Sequence, residues 1–470
     1  MLTISYSKKS LTAAPKKYCR IILTEASTEW HRLVECTDGS LEYRMGVGKW
    51  NDVTPRTFRT LLRSIIQAAK SHQLTAIALE ITSTQFPRLE EHGVAWLATT
   101  ITENILLAGY EFKTYKSKPA KQPALSDVLL CGELVTTATP DLKRGVVIAR
   151  YVNQARDIAN TTGEHMTPNA LATAAKTLAM GTNVRTKILD EKAIKKEKLG
   201  LLEAVGKGAM NPPRLIVMEY EGGKKGTAPV VLIGKGVTFD TGGLNVKPAG
   251  SMHDMHLDMS GGAAVIAAIC AAGALKIKQN IVAIIPAAEN AISDRSMRAG
   301  DIVTSHTGKT VEILHTDAEG RLILADAYSY ATKHFKPAMI IDVATLTGAS
   351  LVALGQHASA ILTKDDELGA ILTALGEETG DYVWPLPLWD EYKQYLKSHR
   401  ADVSNISTSF AKWGGCIEGA TFLSFFAPTN IPWAHIDIAP RMDSIPSDKL
   451  AKGATGEPVR LLIAFLSQHQ

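Results

Sequence analysis

Two short glycine-rich segments concentrate the residues of this chain that could do chemistry. The first reads Gly234-Lys235-Gly236-Val237-Thr238-Phe239-Asp240-Thr241-Gly242-Gly243 and runs on to Lys247 and Asp258; the second reads His315-Thr316-Asp317-Ala318-Glu319-Gly320-Arg321-Leu322. Together they supply four carboxylates: Asp240, Asp258, Asp317 and Glu319. Four carboxylates brought together would repel one another and raise each other's pKa. Divalent cations remove that conflict, and oxygen donors with one nitrogen suit Zn²⁺, Mn²⁺ or Mg²⁺. A two-metal site can generate hydroxide at neutral pH and clamp a substrate oxygen. A metal-bound lysine must be neutral, so Lys235 as a ligand requires a pKa lowered by burial and by the cation. Each segment also has a plainer reading. Asp258 could simply cap the small-residue helix that follows it, and Asp317, Glu319 and Arg321 could form an exposed ion-paired loop.

These residues need elements to position them. The apolar run Val230–Ile233 reads as a buried strand opening into a loop that carries Lys235 and Asp240, with glycines permitting close approaches. Asp301–Ser305 and Thr310–Leu314 flank His306-Thr307-Gly308-Lys309 as a hairpin. If the loop after it is extended, Asp317, Glu319 and Arg321 point the same way. Further strands are expected at Arg214–Tyr220, Ile281–Pro286 and Met339–Ala344, with helices at Asn169–Met180, Gly261–Leu275 and Leu322–His334. Such alternation implies an α/β/α domain with a mainly parallel central sheet, whose ligands bind beyond the carboxyl ends of its strands. Upstream, Ala76–Ile81 reads as a strand, and Thr57–Ser71 and Val94–Leu107 as helices of a small N-terminal α/β domain. The polar, basic stretch Lys113–Pro123 follows as a loop, and a helix from about Leu142 to Ala159 links the two parts. The expected boundaries are 1–135 for the N-terminal α/β domain, 136–165 for the linker helix and 166–470 for the larger C-terminal domain.

The bulk numbers agree with two domains. The chain has 470 residues, 45% hydrophobic and 21% charged, ordinary for a globular protein too long for one core. The N-terminus lacks the basic start and apolar run of a signal peptide, and Gly261–Leu275 is too short to span a bilayer. Five cysteines without CxxC spacing argue against a disulfide framework and for a reducing, cytoplasmic setting. Residues 1–135 hold 17 Lys+Arg against 13 Asp+Glu, and the rest is balanced at 34 of each, too small an excess to imply nucleic acid by itself. The chain lacks GxxxxGK[ST], HExxH and GxSxG, which excludes a phosphate loop, a zincin and a serine-hydrolase elbow. His253 and His256, three apart beside Asp254, have a spacing that could serve a metal on a helix but read rather as loop residues near a cleft; Trp384, Trp389 and Trp413 read as packing or interface aromatics, and Cys270 as buried and inert.

The segments resemble the leucyl aminopeptidase (cytosol aminopeptidase) family of dinuclear metallopeptidases. Thr316-Asp317-Ala318-Glu319-Gly320-Arg321-Leu322 is similar to the family's signature; Gly234–Gly243 with Lys247-Pro248, and Asp258-Met259 with the helix after it, match two further blocks. The resemblance runs from Ala155-Arg156-Asp157 to Lys452–Pro458, while the first 135 residues carry no motif. It implies a metallo-exopeptidase that releases N-terminal, preferably Leu- or Met-like, residues from peptides by attack of a metal-bridging hydroxide. Lys235, Asp240, Asp258 and Glu319 would hold the tighter of two ions (Mn²⁺ or Zn²⁺), and Asp240, Asp317 and Glu319 the more exchangeable one. Lys247 would polarise the scissile carbonyl, and Arg321 would hold a bicarbonate ion acting as general base. Met255, Thr345, Gly348, Ala439 and Met442 would line the substrate pocket. A homo-hexamer is implied, and some family members bind DNA, for which Lys8, Lys9, Lys16, Lys17 and Arg20 are the relevant cluster here. Three positions depart from the family pattern: His315 replaces a usual Asn, Ala299 a frequent Pro, and Trp413–Ala420 is only loosely similar.

Overall fold

The computed structural model describes residues 2–117, 124–408 and 413–468. It divides into two compact units, one comprising Met1–Asn153 with Ser444–Lys452, the other Gln154–Asp443 with Gly453–Gln470. The helix Thr139–Asn160 contributes residues to both, and the Lys113–Pro123 stretch lies partly outside the described residues.

In the first unit the strands are β1 (Thr3–Ser7), β2 (Cys19–Thr24), β3 (His31–Glu35), β4 (Leu41–Gly46), β5 (Ala76–Leu79) and β6 (Asp127–Cys131). They form one sheet in the order β1-β6-β5-β2-β4-β3, parallel except for β3 against β4. Helix Pro55–Ser71 starts where a start signal stands: Thr54 accepts from the Thr57 amide, and Pro55 occupies the first turn. Its residues Phe58, Leu62, Ile65 and Ile66 are fully buried, spaced as one apolar helix face.

The second unit holds β7 (Arg185–Leu189), β8 (Arg214–Glu221), β9 (Val230–Gly234), β10 (Gly236–Asp240), β11 (Asn280–Asn290), β12 (Ile302–Thr304), β13 (Thr310–Glu312), β14 (Met339–Ala344), β15 (Ser359–Thr363), β16 (Val383–Pro385), β17 (Val403–Ser404) and β18 (Trp433–Asp437). The large sheet runs β16-β15-β18-β14-β9-β11-β8-β7, with β10 also on β11. Strands β18, β14, β9, β11 and β10 are mutually parallel neighbours. They are almost wholly buried, as a sheet covered on both faces requires. The mixed α/β fold with a parallel-rich central sheet thus matches the expectation. The expected hairpin is present as β12 against β13.

Helix Ser260–Leu275 packs against the middle of this sheet. Its glycines are steric requirements: a Cβ on Gly261 would lie 2.1 Å from the Val343 carbonyl oxygen, and one on Gly273 2.1 Å from that of Thr182. The 3₁₀ turn Met255–Met259 runs into it. The continuous stretch Met255–Leu275 is therefore long and apolar enough to cross a membrane, unlike the shorter run read from sequence, but 94% of its most apolar window is buried within the protein. It is a core helix. Cys270 is buried in it as expected, whereas Trp384, Trp389 and Trp413 are exposed, which sets aside the packing reading and leaves the interface one.

Candidate metal centre

The site stands at the carboxyl ends of the parallel strands. Lys235 follows β9, Asp240 ends β10, Asn290 ends β11, Thr345 follows β14, and Asp437 ends β18. Parallel strands bring these ends to one edge, so residues up to 202 positions apart in sequence line the same crevice.

Lys235 and Asp240 are thus held by strands rather than a loop, because Gly236–Asp240 pairs with β11. Asp317 sits in a turn, and Glu319 has right-handed helical backbone angles at the start of helix Gly320–Phe335. The extended loop expected there is absent; the turn makes Asp317 and Glu319 neighbours instead. One ligand oxygen each from Asp240, Asp317 and Glu319 can be chosen within 4.8 Å of one another. Asp258 joins through Lys235, whose Nζ is 2.8 Å from Asp258 Oδ1 and 2.9 Å from Glu319 Oε1, and donates to the Thr345 carbonyl at 3.0 Å. Asp258 does not cap the following helix, which has no side-chain cap; its Oδ1 accepts from Thr345 Oγ1 at 2.8 Å. Lys247 Nζ lies 2.8 Å from Asp240 Oδ2 and 2.6 Å from Asp317 Oδ1.

Asp240, Asp258, Glu319 and Lys235 are buried and Asp317 is half-buried. Burial is the first cause pushing the Asp258, Asp317 and Glu319 carboxyls upward. Their mutual repulsion and Asp240 add to it, and the lysines only partly relieve it. Burial opposes the charge on Lys235 and Lys247, but the surrounding carboxylates outweigh it and raise both. Two ammonium groups against four carboxylates leave a formal excess of two negative charges. Asp258 Oδ2 is buried with no hydrogen bond, and the buried Asp317 Oδ1 and Glu319 Oε1 are met only by lysines. Orphaned oxygens and surplus negative charge in a buried cluster are what a divalent cation would satisfy, so the residues present fit a metal.

Asn290 and Asn245 serve this cluster but were not singled out in the sequence, and residues of the two quoted segments support it as well. Asn290 Nδ2 donates to Asp240 Oδ1 at 2.8 Å and to the Thr316 carbonyl at 3.1 Å. Its strand runs four residues beyond the carboxyl end of the expected Ile281–Pro286, and that extension would have pointed to it. Thr316 and Asn245 exchange hydrogen bonds of 2.8 Å and tie the two chemical segments together. Gly242, at φ +87°, keeps the Asp240 loop tight: a Cβ there would lie 2.5 Å from the Asn245 carbonyl. His315 Nδ1 accepts from the Asp317 amide at 3.3 Å, so it supports the ligand's backbone. His256 is in the 3₁₀ turn and His253 in the turn before it.

The five expected pocket residues lie on three segments. Met255 opens the 3₁₀ turn containing Asp258, to which Thr345 is hydrogen-bonded. Gly348 starts helix Gly348–Leu354, against which the 3₁₀ turn Ala439–Arg441 packs, and Met442 follows that turn. Asp437 joins the last two segments: it accepts from Leu346 N (3.1 Å), Thr347 Oγ1 (2.7 Å) and Ala439 N (3.1 Å). Arg321 is buried, and its Nη1 donates to the Asn405 carbonyl (2.8 Å) and pairs with Glu418 Oε1 (3.2 Å).

The family model "Cytosol aminopeptidase family, catalytic domain" matches residues 153–463, and the one for that family's N-terminal domain matches 44–119. The second match finds a signal in a region where no motif was read. A probable cytosol aminopeptidase of Azoarcus sp. (strain BH72) is 41% identical over 90% of this chain and 83% of its own length. One from Aromatoleum aromaticum is 40% identical over the same shares. Among solved structures, a mutant of tomato leucine aminopeptidase superposes with TM-score 0.87 at 28% identity, covering 100% of this chain and 97% of that one. The bottromycin maturation enzyme BotP in complex with Mn does so with TM-score 0.85 at 30% identity, covering 96% and 99%.

Proposed function

The chain belongs to the cytosol aminopeptidase family and is a metal-dependent enzyme that hydrolyses peptides at their N-termini, and from that premise we propose that it works with two divalent ions and prefers Leu- or Met-like first residues. The observation that carries this reading is the convergence of Asp240, Asp317 and Glu319 beside Asp258, with buried oxygens lacking hydrogen bonds. Lys235, Asp240, Asp258 and Glu319 would hold the tighter ion, and Asp240, Asp317 and Glu319 the more exchangeable one. When bound, the ions make water a nucleophile at neutral pH and clamp the substrate oxygen.

The chain's own residues do the rest. Lys247 is the cation left facing the carboxylates from the half-exposed Asp317 side, and it steadies negative charge developing on the scissile carbonyl oxygen. With cations in place, Lys235 would no longer be needed to compensate the carboxylates and would serve as a neutral nitrogen donor. Met255, Thr345, Gly348, Ala439 and Met442 receive the side chain of the first residue. The half-buried thioethers of Met255 and Met442 adapt to unbranched or γ-branched apolar groups. The BotP structure contains Mn, which supports Mn²⁺ as a working ion beside Zn²⁺. A cytoplasmic homo-hexamer completes the reading.

Hydrolysis of a leucine amide, with its N-acetylated form as control, tests it before and after chelation and re-addition of Mn²⁺ or Zn²⁺. The expected outcome is cleavage of the free-amine substrate only, lost on chelation and restored by metal. Cleavage of the acetylated substrate, or full activity in the chelated protein, would overturn the reading.

A further inference from the structure

Arg321, assigned by the resemblance to a bicarbonate ion, already has an anion. It lies in the first turn of helix Gly320–Phe335, two residues from Glu319. Its side chain is 7% exposed and that of its partner Glu418 is 12% exposed, with Nη1 3.2 Å from Glu418 Oε1. Glu418 is in the first turn of helix Gly415–Ser424, within the Trp413–Ala420 stretch where the family pattern is loosest. That helix lies close over the arginine: a Cβ on Gly419 would be 3.5 Å from Arg321 Nη2 and 2.9 Å from Leu346 Cδ2. The glycine lets Glu418 approach without its neighbour colliding.

A second anion fits poorly here. Glu418 neutralises the guanidinium, and a bicarbonate on the same group would bring like charges within a few ångströms of each other in a mostly buried setting. Nη1 is also committed to the Asn405 carbonyl at 2.8 Å, and Nε is the buried donor left without a partner. A side-chain carboxylate, by contrast, is present in every molecule and pays no association entropy.

Resting on the aminopeptidase reading, we propose that the Glu418 carboxylate, held on Arg321, takes the place of the exchangeable bicarbonate anion, so that this enzyme carries its own proton acceptor and works without bicarbonate. The carboxylate accepts the proton lost by the attacking water as the C–O bond forms. It returns that proton to the departing amine as the C–N bond breaks, so the glutamate ends each turnover ionised.

The test compares the metal-loaded wild type with Glu418→Ala and Glu418→Gln in carbon-dioxide-free buffer, with and without added bicarbonate or formate, and with chloride at matched ionic strength. Binding of ¹³C-bicarbonate is followed by NMR line broadening as a readout independent of turnover. The expected wild type changes by less than about twofold on adding bicarbonate and does not broaden the ¹³C signal. Glu418→Ala loses about 100-fold in kcat/KM, the range for one proton-transfer group. It regains at least about tenfold with bicarbonate or formate, not with chloride, and now binds ¹³C-bicarbonate. A merely structural glutamate would show no such rescue. Stimulation of the wild type by bicarbonate, binding of ¹³C-bicarbonate to it, or undiminished activity of Glu418→Ala would each overturn the proposal. Should Glu418→Ala fail to fold, the wild-type arms and Glu418→Gln decide it. Absence of hydrolysis in every metal-loaded sample would refute the aminopeptidase reading instead, while the ¹³C arm would still judge occupancy of Arg321.

Discussion

At the scale of single residues, the centre depends on groups that orient the carboxylates as much as on the carboxylates. Asp240 Oδ1 is held by Asn290 and by the Gly242 amide, at 2.8 and 2.9 Å. Removing such an orienting partner typically costs 10–100-fold in metal affinity. Asn290→Ala is therefore expected to bind Mn²⁺ about tenfold more weakly in a chelator-competition titration, with its far-ultraviolet circular dichroism unchanged; unaltered affinity would remove Asn290 from the site. Asp437 lies between two of the segments proposed to line the substrate pocket. It gathers the backbone after β14 and after β18 through Leu346, Thr347 and Ala439, and also receives the Cys416 thiol at 3.6 Å. Asp437→Asn keeps the shape but loses charge-assisted acceptance. We expect it to lower the kcat/KM preference for leucine over alanine amides by about tenfold, roughly one hydrogen bond's worth, with metal content intact. An unchanged preference would show that Asp437 does not set the pocket. Much of this layer escaped the sequence because an Asn or Asp at a strand end looks the same whether it turns outward or inward.

At the scale of elements, the helices behind the site are constrained from both ends. Helix Ser260–Leu275 must lie against the sheet for Asp258 to reach Lys235, and Gly261 makes that approach possible. Gly261→Ala would place a methyl on the Val343 carbonyl and should destabilise the protein by about 1–3 kcal/mol, read as an earlier urea midpoint with the slope unchanged; a neutral outcome would mean the helix can shift freely. The opposite end of helix Gly320–Phe335 is anchored by Glu197, whose Oε1 lies 2.6 Å from Lys333 Nζ, 2.8 Å from His334 Nε2 and 3.3 Å from His306 Nε2. Burial raises this carboxyl, but the three donors outweigh it and hold it at about 2, below the ordinary 4.5. A depressed carboxyl stabilises the fold above its unfolded pKa, and the gain disappears as pH falls through the folded one. Glu197→Gln should therefore cost about 1 kcal/mol at pH 7 after solvent screening, with the difference from wild type shrinking from about pH 4.5 toward pH 2. A difference independent of pH would contradict the anchor. The helices and strands around these contacts were legible at sequence level, since Val230–Gly234, Met339–Ala344 and Ser260–Leu275 are continuous apolar or small-residue runs. The loop conformations were not: the alternating charges of Asp317, Glu319 and Arg321 suggested an extended segment, where a turn and the first helical residues converge the carboxylates instead.

At the scale of the whole molecule, metal binding and stability are linked. A ligand that binds only the folded form stabilises it by about 3 kcal/mol at roughly a hundredfold excess over its Kd. Chelation should lower the melting temperature of the wild type by several degrees, and Asp317→Ala should show a smaller metal-dependent shift together with loss of peptide hydrolysis. Equal shifts in the two proteins would place the ion elsewhere. The sequence alone supplied candidate ligands, because residue type and spacing within each short segment are local facts: Lys235 with Asp240, and Asp317 with Glu319, stay close whatever the chain does elsewhere; the class of chemistry came from the family resemblance those segments carry. The sequence also determined the alternation of strands and helices. Only the tertiary structure decided which distant groups complete the site. Glu418 meets Arg321 across 97 positions, where the starts of two helices come together, and Asn290 meets Asp240 across 50, because the parallel strands β10 and β11 end side by side. That convergence is a property of the sheet's order, which no local pattern of residues encodes.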